Sequence, residues 1–340
     1  MILYSDSALN KFLIIAFLLI SIFCIPQQTK ASNCIVTQKF RIAVIPERGD
    51  LDFWKLLKKG ATQAAIDNGN VKILWIAPNV EDNLKEQQRK IEWCIENHVD
   101  AIVISPIHSL KMKTSINNAL KEGIPVIQMV SGISFGKNSG YVHSNNFQGG
   151  ILAAKYLNEK LDGKGSVLLG MFERGNSPVL SRIKGFKHQL DKSGSQIKIA
   201  KSFYLDENEK RNKSKIHIAM WRGKLNHKMN VKTDAVIGMN ESSCETLLKN
   251  LKEMDMMKGI TFVAFNPDPN MVKDIQQGII SAGIAQDPYK IGKIAIDQAV
   301  MAAKGKSIPP ETTTEVHLIT KENLQQPEIQ EVLGLKERNI

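Results

Sequence analysis

The regular alternation of apolar and amphipathic segments between residues 40 and 130 constrains the fold more than any other feature. Four apolar, β-rich segments occur in this part of the chain, and helical periodicity follows each of the first three. We predict strands at 40–46, 71–77, 101–105 and 125–130. The third strand, AIVIS, has no polar alternation, as expected for a strand buried on both faces. The pattern predicts a parallel sheet with helices on both faces.

The alternation resumes near residue 140 with a second, complete set of strands. We predict these strands at 140–144, 166–171, 197–204, 234–239, 260–265 and 282–286. A helical segment at 288–304 ends the series early, which indicates that the chain crosses back and that both halves are discontinuous in sequence. The predicted fold class is therefore α/β, with two doubly wound, Rossmann-like lobes joined by a multi-segment hinge.

The first 31 residues are predicted to be a signal peptide. Lys11 precedes an apolar run at 12–23, which has the length of a secretory core region and is too short for a comfortable membrane span. Small residues stand where a peptidase needs them, so we predict cleavage near Ala31. The rest of the chain is long enough for two domains of ordinary size. We expect an exported, soluble, periplasmic protein.

Charge and motifs exclude several classes of function. The formal net charge is +11, but the lysines are scattered over predicted helix surfaces and form no basic stripe interleaved with aromatics, so no nucleic-acid partner is expected. The chain has no H-E-x-x-H or Walker motif. His108 and His143 follow predicted strands without a third ligand at metal spacing. We predict no enzyme activity, no metal and no cofactor.

Three cysteines follow the predicted cleavage site: Cys34, Cys94 and Cys244. An exported compartment permits a disulfide. A bridge between Cys34 and Cys94 is one hypothesis, because Cys34 precedes the first strand and that strand neighbours the second helix. The alternative is that Cys94, on the inward stripe of its helix, is a small buried apolar residue.

Candidate site residues lie where strands of such a sheet end, because ligands bind outside the carboxyl ends of the strands. Phe53 and Trp54 follow the first strand and offer a flat apolar face, although packing in the core is the alternative for at least one of them. Glu47 and Arg48 lie in the same loop, for which a plain turn is the alternative. Gln286 stands between an apolar strand and a proline, where a buried amide needs a hydrogen bond from ligand or hinge.

The order and spacing of several segments resemble the type I periplasmic substrate-binding proteins of the ribose- and galactose-binding kind, whose core is shared with the sugar-sensing domain of the LacI repressors. The similarity covers about residues 38–325. The segments are FWKLLKKGATQAA (53–65), AIVISP (101–106), GIPVI (123–127), SNNFQGGILAAKYL (144–157), SRIKGF (181–186), AFNPDP (264–269), AGIAQDPYKIG (282–292) and LITKEN (318–323).

The resemblance implies a division of the chain into lobes. It implies an N-terminal lobe of 38–143 plus 287–311, a C-terminal lobe of 144–286 plus 312–325, and a C-terminal tail of 326–340. A monomer is expected, as is usual for this fold without a DNA-binding module. A DNA-binding regulator is excluded by the export signal, which occupies the place of the helix-turn-helix module.

The resemblance also implies ligand contacts. Phe53 and Trp54 fall where the family stacks aromatics on a sugar ring, and Gln286 falls at the hinge residue that hydrogen-bonds ligand. Arg182 matches an arginine that grips ligand hydroxyls or carboxylates with its planar fork, although a solvated helix face is its alternative. Further polar contacts are implied for Asn146 and Asn240.

Two positions depart from the sugar-binding pattern. The family's sugar binders usually have aspartate where this chain has His108 and Asn266. Carboxylates are acceptors that pair well with sugar hydroxyls, so their replacement makes a ligand with more acceptors, or with negative charge, more credible. Both residues also have a local alternative, because His108 is placed to cap a helix and Asn266 precedes a proline, which is good turn chemistry.

The function implied is capture of a small polar, sugar-like ligand between two closing lobes and its presentation to a membrane partner. An ABC sugar importer is the first hypothesis for that partner. The alternative is a membrane histidine kinase, because the autoinducer-2 receptor and the periplasmic partner of the trimethylamine-N-oxide sensor share this fold. Those proteins show a Tyr-Trp pair where this chain has Phe53–Trp54, and the two departures from the sugar pattern move the balance towards sensing.

Overall fold

A computed structural model describes residues 39–336 apart from 48, 50, 79–83, 133–138, 173–176, 207 and 226–232, and without the side chains of 109 and 221–225. The predicted signal peptide, Cys34 and Arg48 lie outside the described residues. The strands are β1 (Phe40–Ile45), β2 (Val71–Trp75), β3 (Ala101–Ile104), β4 (Val126–Met129), β5 (Ser139–Ser144), β6 (Lys164–Met171), β7 (Gln196–Tyr204), β8 (Ala235–Gly238), β9 (Thr261–Phe265), β10 (Ala282–Gln286), β11 (Thr312–Thr314) and β12 (Val316–Ile319). The helices are α1 (Asp52–Asn68), α2 (Leu84–Glu96), α3 (Ser109–Lys121), α4 (Asn146–Lys160), α5 (Ser177–Lys192), α6 (Glu209–Leu225), α7 (Glu241–Glu253), α8 (Pro269–Gln277), α9 (Pro288–Ala303) and α10 (Pro327–Val332).

The first lobe is built on a six-stranded parallel sheet with the order β11-β5-β4-β3-β1-β2. Successive side chains of β1 enter two different cores, because neighbouring residues in a strand point to opposite faces. Ile42 and Val44 pack with α1 and α9, whereas Ala43 and Ile45 pack with α2 and α3. The sheet is therefore covered by helices on both faces, as predicted.

The second lobe is built on a six-stranded sheet with the order β12-β10-β9-β8-β6-β7, in which only β12 runs antiparallel to its neighbour. Its β6 also divides between two cores, because Val167 and Leu169 pack on one face and Leu168 on the other. Two doubly wound lobes are present, which confirms the predicted fold class.

Three chain crossings join the lobes, at residues 144–146, 286–288 and 314–316. Two of the crossings are bonded to each other. The Ser144 and Thr314 hydroxyls lie 3.0 Å apart, and the Asn145 N–H donates to Thr314 O at 2.9 Å. These contacts tie two of the three crossings to each other.

Two predicted boundaries near the C-terminus are wrong. The change of lobe predicted at residue 312 occurs after Thr314, because β11 pairs with β5 and so extends the first sheet. The segment 326–340, predicted as a tail, contains α10. Ile329 and Val332 of this helix are buried in the core of the second lobe, so apolar packing holds the segment in place.

The possible bridge between Cys34 and Cys94 stays a prediction, because Cys34 lies outside the described residues. Cys94 is fully buried on the inner face of α2 and packs against the first sheet, which fits the apolar alternative. As a thiol it has a pKa raised to about 12 by burial, which keeps it protonated. None of the helices in the described ranges combines the length and apolar composition needed to cross a bilayer.

Candidate functional site

A cavity of about 70 Å³ lies between the lobes, at the carboxyl ends of strands from both sheets. We call it the cleft cavity. Residues after β1 and β4 form its wall in the first lobe, and residues after β8, at the end of β9 and at the end of β10 form its wall in the second. The full lining is Glu47, Leu51, Phe53, Trp54, Val130, Ser131, Pro178, Arg182, Asn240, Glu241, Ser242, Asn266 and Gln286.

Arg182 is a buried cation in the wall of the cleft cavity, and the solvated-face alternative is excluded by its exposure of 3%. Its Nε donates to Asn146 Oδ1 at 2.9 Å, one terminal nitrogen donates to Met239 O at 2.5 Å, and its Cζ lies 4.8 Å from the Phe265 ring centroid. Burial lowers the pKa of Arg182 to about 10, so it stays charged at neutral pH. A guanidinium has five N–H groups, and two are bonded within the described part of the chain. The others are available to a ligand.

The chain positions Arg182 through close helix packing and through Asn146. A Cβ on Gly150 would overlap the Arg182 carbonyl, and one on Gly185 would overlap the Phe147 carbonyl, so only glycines allow α4 and α5 to approach this closely. Asn146 is 5% exposed and does not line the cleft cavity. Its amide donates to Ser144 O and accepts from Arg182, which makes it a positioning residue.

Gln286 links the hinge to the cleft cavity. It is 4% exposed, and its Nε2 donates to Asn266 Oδ1 at 3.1 Å. Its Oε1 is buried without a hydrogen-bond partner among the described residues. A buried acceptor without a partner costs free energy, so a hydrogen-bond donor on a ligand would be stabilised by Gln286 Oε1. Asn266 has a left-handed φ of 54°, which fits the turn alternative, while its side chain lines the cavity.

Replacement of Gln286 by methionine should weaken ligand binding by about tenfold to a hundredfold, because the ligand hydroxyl loses its acceptor. The stability of the ligand-free protein should change by less than about 1 kcal/mol, because the replacement also removes an unsatisfied polar group. Calorimetric titration and thermal unfolding measure the two effects. Gln298→Met is the matched control, since Gln298 is equally buried, also has an unpartnered Oε1, and lies on α9 outside the cavity wall. An equal loss of binding in both variants would contradict a ligand role.

Glu47 places a carboxylate in the first-lobe wall, opposite Arg182. The hydroxyls of Ser105 and Ser131 both donate to its Oε1, the first at 2.8 Å. Glu47 is near enough to Arg182 to act against the lowering of the arginine pKa. An oriented carboxylate of this kind accepts hydrogen bonds from hydroxyl groups. Glu47 therefore supplies a carboxylate acceptor. The family's sugar binders have such acceptors as aspartates where this chain has His108 and Asn266.

Val130 follows β4 at the other end of this wall, and its own backbone conformation is strained. Its φ is 63°, which is unusual for a β-branched residue, and the Ser131 N–H donates to Met129 O at 2.7 Å across it. The Tyr141 hydroxyl donates to Val130 O at 3.2 Å and supports the turn. The tight turn brings Ser131 to Glu47, and strain of this kind is concentrated at functional sites.

The aromatic pair forms the apolar part of the wall. Phe53 and Trp54 pack edge to face, with ring centroids 5.2 Å apart and an interplanar angle of 84°. Trp54 is 4% exposed and belongs to the core of the first lobe, so the packing alternative holds for it in part. Both residues line the cleft cavity.

His108 and Asn240 lie at the predicted strand ends but have other surroundings. His108 occupies the N-cap position of α3 without a side-chain capping bond, and it is not among the residues that line the cleft cavity. Asn240 lines the cavity and also caps α7, because its Oδ1 accepts from the Ser243 N–H at 3.1 Å and the Ser243 hydroxyl completes a capping box. Its amide oxygen is therefore committed to the helix.

Glu241 is the functional candidate that sequence reasoning missed. It is the first residue of α7, is 5% exposed and lines the cleft cavity. Burial raises the pKa of Glu241 to about 8, assisted by Glu245, Asp268 and Asp52, while the Phe53 backbone N–H acts in the opposite direction. Acidic residues are common in the first turn of a helix because they interact favourably with the helix dipole. The sequence therefore gave no separate sign that Glu241 belongs to the site. Ser131, after β4, could have been found by the strand-end rule that selected Glu47.

The site offers hydrogen-bond donors, acceptors and an aromatic face, without a metal centre. No group of three His, Cys, Asp or Glu side chains in the described ranges is arranged to hold a metal ion. Pockets for small ligands combine apolar walls with a few convergent polar groups, as this one does. The arrangement suits a small polyhydroxylated molecule held between two lobes.

Comparisons with known proteins agree with this geometry. A family profile described as "Periplasmic binding protein domain" matches residues 42–307. The ribose import binding protein of Bacillus subtilis is 25% identical over 297 residues, which cover 87% of this chain and 92% of the relative. A putative rhizopine-binding protein of Rhizobium meliloti is 24% identical, with 81% and 88% covered. The crystal structure of an ABC transporter solute-binding protein from Agrobacterium vitis, bound with α-D-tagatopyranose, superposes with a TM-score of 0.78 at 26% identity, covering 87% of this chain and 99% of that one.

Proposed function

The chain belongs to the periplasmic binding protein domain family, and from this premise we propose that it captures a sugar or a related polyol in the cleft cavity. The lobes close on the ligand through the three-segment hinge. The protein acts as a binding protein and performs no chemistry on its ligand.

The observation that carries the proposal is a set of polar groups in the wall of the cleft cavity that can bond to a ligand. Arg182 has N–H groups left over after its bonds to the described residues, and Gln286 has a buried Oε1 without a partner among them. Glu47 adds a carboxylate from the first lobe. Sugar hydroxyls both donate and accept, so one ring can bond to all three groups, while its apolar face packs on the aromatic pair.

The acceptor inventory favours a neutral polyol over an anionic ligand. Glu47 supplies a carboxylate to the wall of the cleft cavity, whereas the family's sugar binders carry aspartates where this chain has His108 and Asn266. A ligand carboxylate would be repelled by Glu47 at the same time as Arg182 attracts it. The departures from the sugar pattern are therefore offset within the site, which weakens the argument for a non-sugar signal.

We propose export to the periplasm and delivery to an ABC importer. The relatives named above include a ribose import binding protein and an ABC transporter solute-binding protein. They favour an importer over a sensor kinase as the membrane partner. Closure converts occupancy into a shape that the partner recognises, because the permease contacts both lobes together.

A thermal-shift screen of the mature protein tests the proposed function. A ligand that binds only the folded state raises the melting temperature in proportion to the logarithm of its concentration. We expect a shift with one of the pentoses, hexoses or inositols and none with trimethylamine N-oxide or small carboxylates. A shift confined to the non-sugar compounds, or none with any sugar in a folded sample, would contradict the proposal.

A further inference from the structure

A second cavity adjoins the cleft cavity on the far side of Phe53. Its volume is about 260 Å³, against about 70 Å³ for the cleft cavity. Phe53, Glu241, Asn266 and Gln286 line both spaces, so the two share a wall. We call the larger one the outer chamber. A water needs about 10–15 Å³ on this scale, so the outer chamber holds on the order of twenty waters and the cleft cavity about five.

The C-terminal segment of the chain forms part of the wall of the outer chamber. Leu333 ends α10, and Gly334 follows with a left-handed φ of 67° that turns the backbone towards α1. A Cβ on Gly334 would lie 3.0 Å from the side chain of Leu56 on α1, so the second lobe touches the first at this point. The segment forms one side of the chamber, while the hinge forms another.

The walls of the outer chamber are mostly apolar and carry balanced charge. Leu56, Pro267, Pro269, Ala285, Pro288 and Leu333 supply the apolar surface. Among the described residues the lining has two lysines, Lys55 and Lys59, and two aspartates, Asp52 and Asp268. Glu241 also lines it, but burial raises its pKa to about 8, so this acid is mostly neutral at pH 7. Asp52 pairs with Lys55 at 2.8 Å, and Asp268 accepts the Met271 N–H as the N-cap of α8. The chamber therefore offers no net charge for an anionic or cationic group.

We propose that the outer chamber is a subsite for an apolar substituent on the polyol, so that the ligand is a glycoside or an O-alkylated polyol rather than a bare monosaccharide. This inference rests on the proposed function. A bare sugar would leave water against an apolar wall, whereas an apolar substituent would replace that water and bury apolar surface on both partners. Because Phe53 and Gln286 line both spaces, a substituent on a polyol in the cleft cavity that passes these side chains enters the outer chamber.

The test compares free sugars with their glycosides. Mature protein is titrated calorimetrically with D-ribose, D-allose and D-galactose, and with the methyl and phenyl glycosides of each in both anomeric forms. We expect at least one phenyl glycoside to bind about tenfold more tightly than its parent sugar. Leu56→Trp, which fills the chamber, should reduce this ratio to about one, while Leu56→Ala, which widens it, should preserve the ratio. Ile66→Trp, at a 65% exposed position on the same helix, is the matched control.

Each outcome separates this inference from the proposed function. Free sugars that bind while every glycoside binds more weakly would overturn the subsite and leave the proposed function intact. The Leu56→Trp variant must first be shown to be folded by circular dichroism. If it still binds the phenyl glycoside about tenfold more tightly than the parent sugar, the substituent lies elsewhere and the subsite is overturned as well. Binding of neither free sugars nor glycosides would overturn the proposed function and this inference together.

Discussion

Replacement of Arg182 by lysine should weaken ligand binding by at least about a hundredfold while the protein remains folded. The arginine uses two of its five N–H groups to bond Asn146 and Met239, and it lines the cleft cavity. A lysine ammonium is a point charge and cannot reproduce this fork. The loss combines weaker bonds to the ligand with a buried charge that has lost its partners, which together cost about 2–5 kcal/mol.

Calorimetric titration of the wild-type protein and the Arg182→Lys variant with the best sugar from the thermal-shift screen measures this effect. Arg211→Lys is the control, because Arg211 pairs with Asp206 on the surface with 63% of its side chain exposed. Its affinity should stay within about twofold of the wild-type value. If Arg182→Lys binds as tightly as this control, Arg182 has only a structural role.

The second large effect expected is on stability, and it depends on pH. Glu241 is buried, with Glu245 and Asp268 near it in its own lobe and Asp52 facing it from the first lobe, and its pKa is raised to about 8 from 4.5. The folded protein therefore holds a proton that the unfolded chain releases between these two pH values. The contribution of this group to stability is complete below about pH 4.5, falls as pH rises, and is lost above about pH 8.

Glu241→Gln stays neutral at every pH and should escape this loss. Its melting temperature should exceed that of the wild-type protein by on the order of 5 °C at pH 9, and the difference should vanish near pH 5. Thermal unfolding followed by circular dichroism at several pH values measures this. Glu253→Gln, an exposed glutamate of the same helix paired with Lys213, should show no such trend. An advantage that is the same at pH 5 and pH 9 would mean that Glu241 is charged in the fold or that the amide acts by packing alone.

Most of the fold could be predicted from the sequence because its signals are local and repeated. Strands buried on both faces read as apolar runs, and β3 is an example, with all four residues buried. Strand β11 gave no such signal, since its three threonines fit an exposed loop as well as an edge strand, and only pairing with β5 decides between them. The packing of α10 was missed for a similar reason, because a six-residue helix is too short to show periodicity.

The candidate site was predictable at strand ends and unpredictable where a side chain reaches across the cleft. Phe53, Trp54 and Gln286 were selected by the strand-end rule and by the resemblance, and Arg182 by the resemblance alone; all four line the cleft cavity. The role of Asn146 depends on its distance from Arg182, which is 36 residues away in sequence and therefore invisible to local patterns. The environment of Glu241 depends on acids from both lobes, and no local pattern reports that.

In the proposed mode of binding, a polyol lies between Arg182 and the aromatic pair in the cleft cavity. A crystal structure of the mature protein with the best sugar from the screen tests it most directly. We predict that the ring packs on Phe53 and Trp54, that Arg182 donates to at least one ring or hydroxyl oxygen, and that a hydroxyl donates to Gln286 Oε1. A sugar bound outside the cleft, or inside it without contact to either Arg182 or Gln286, would contradict the account.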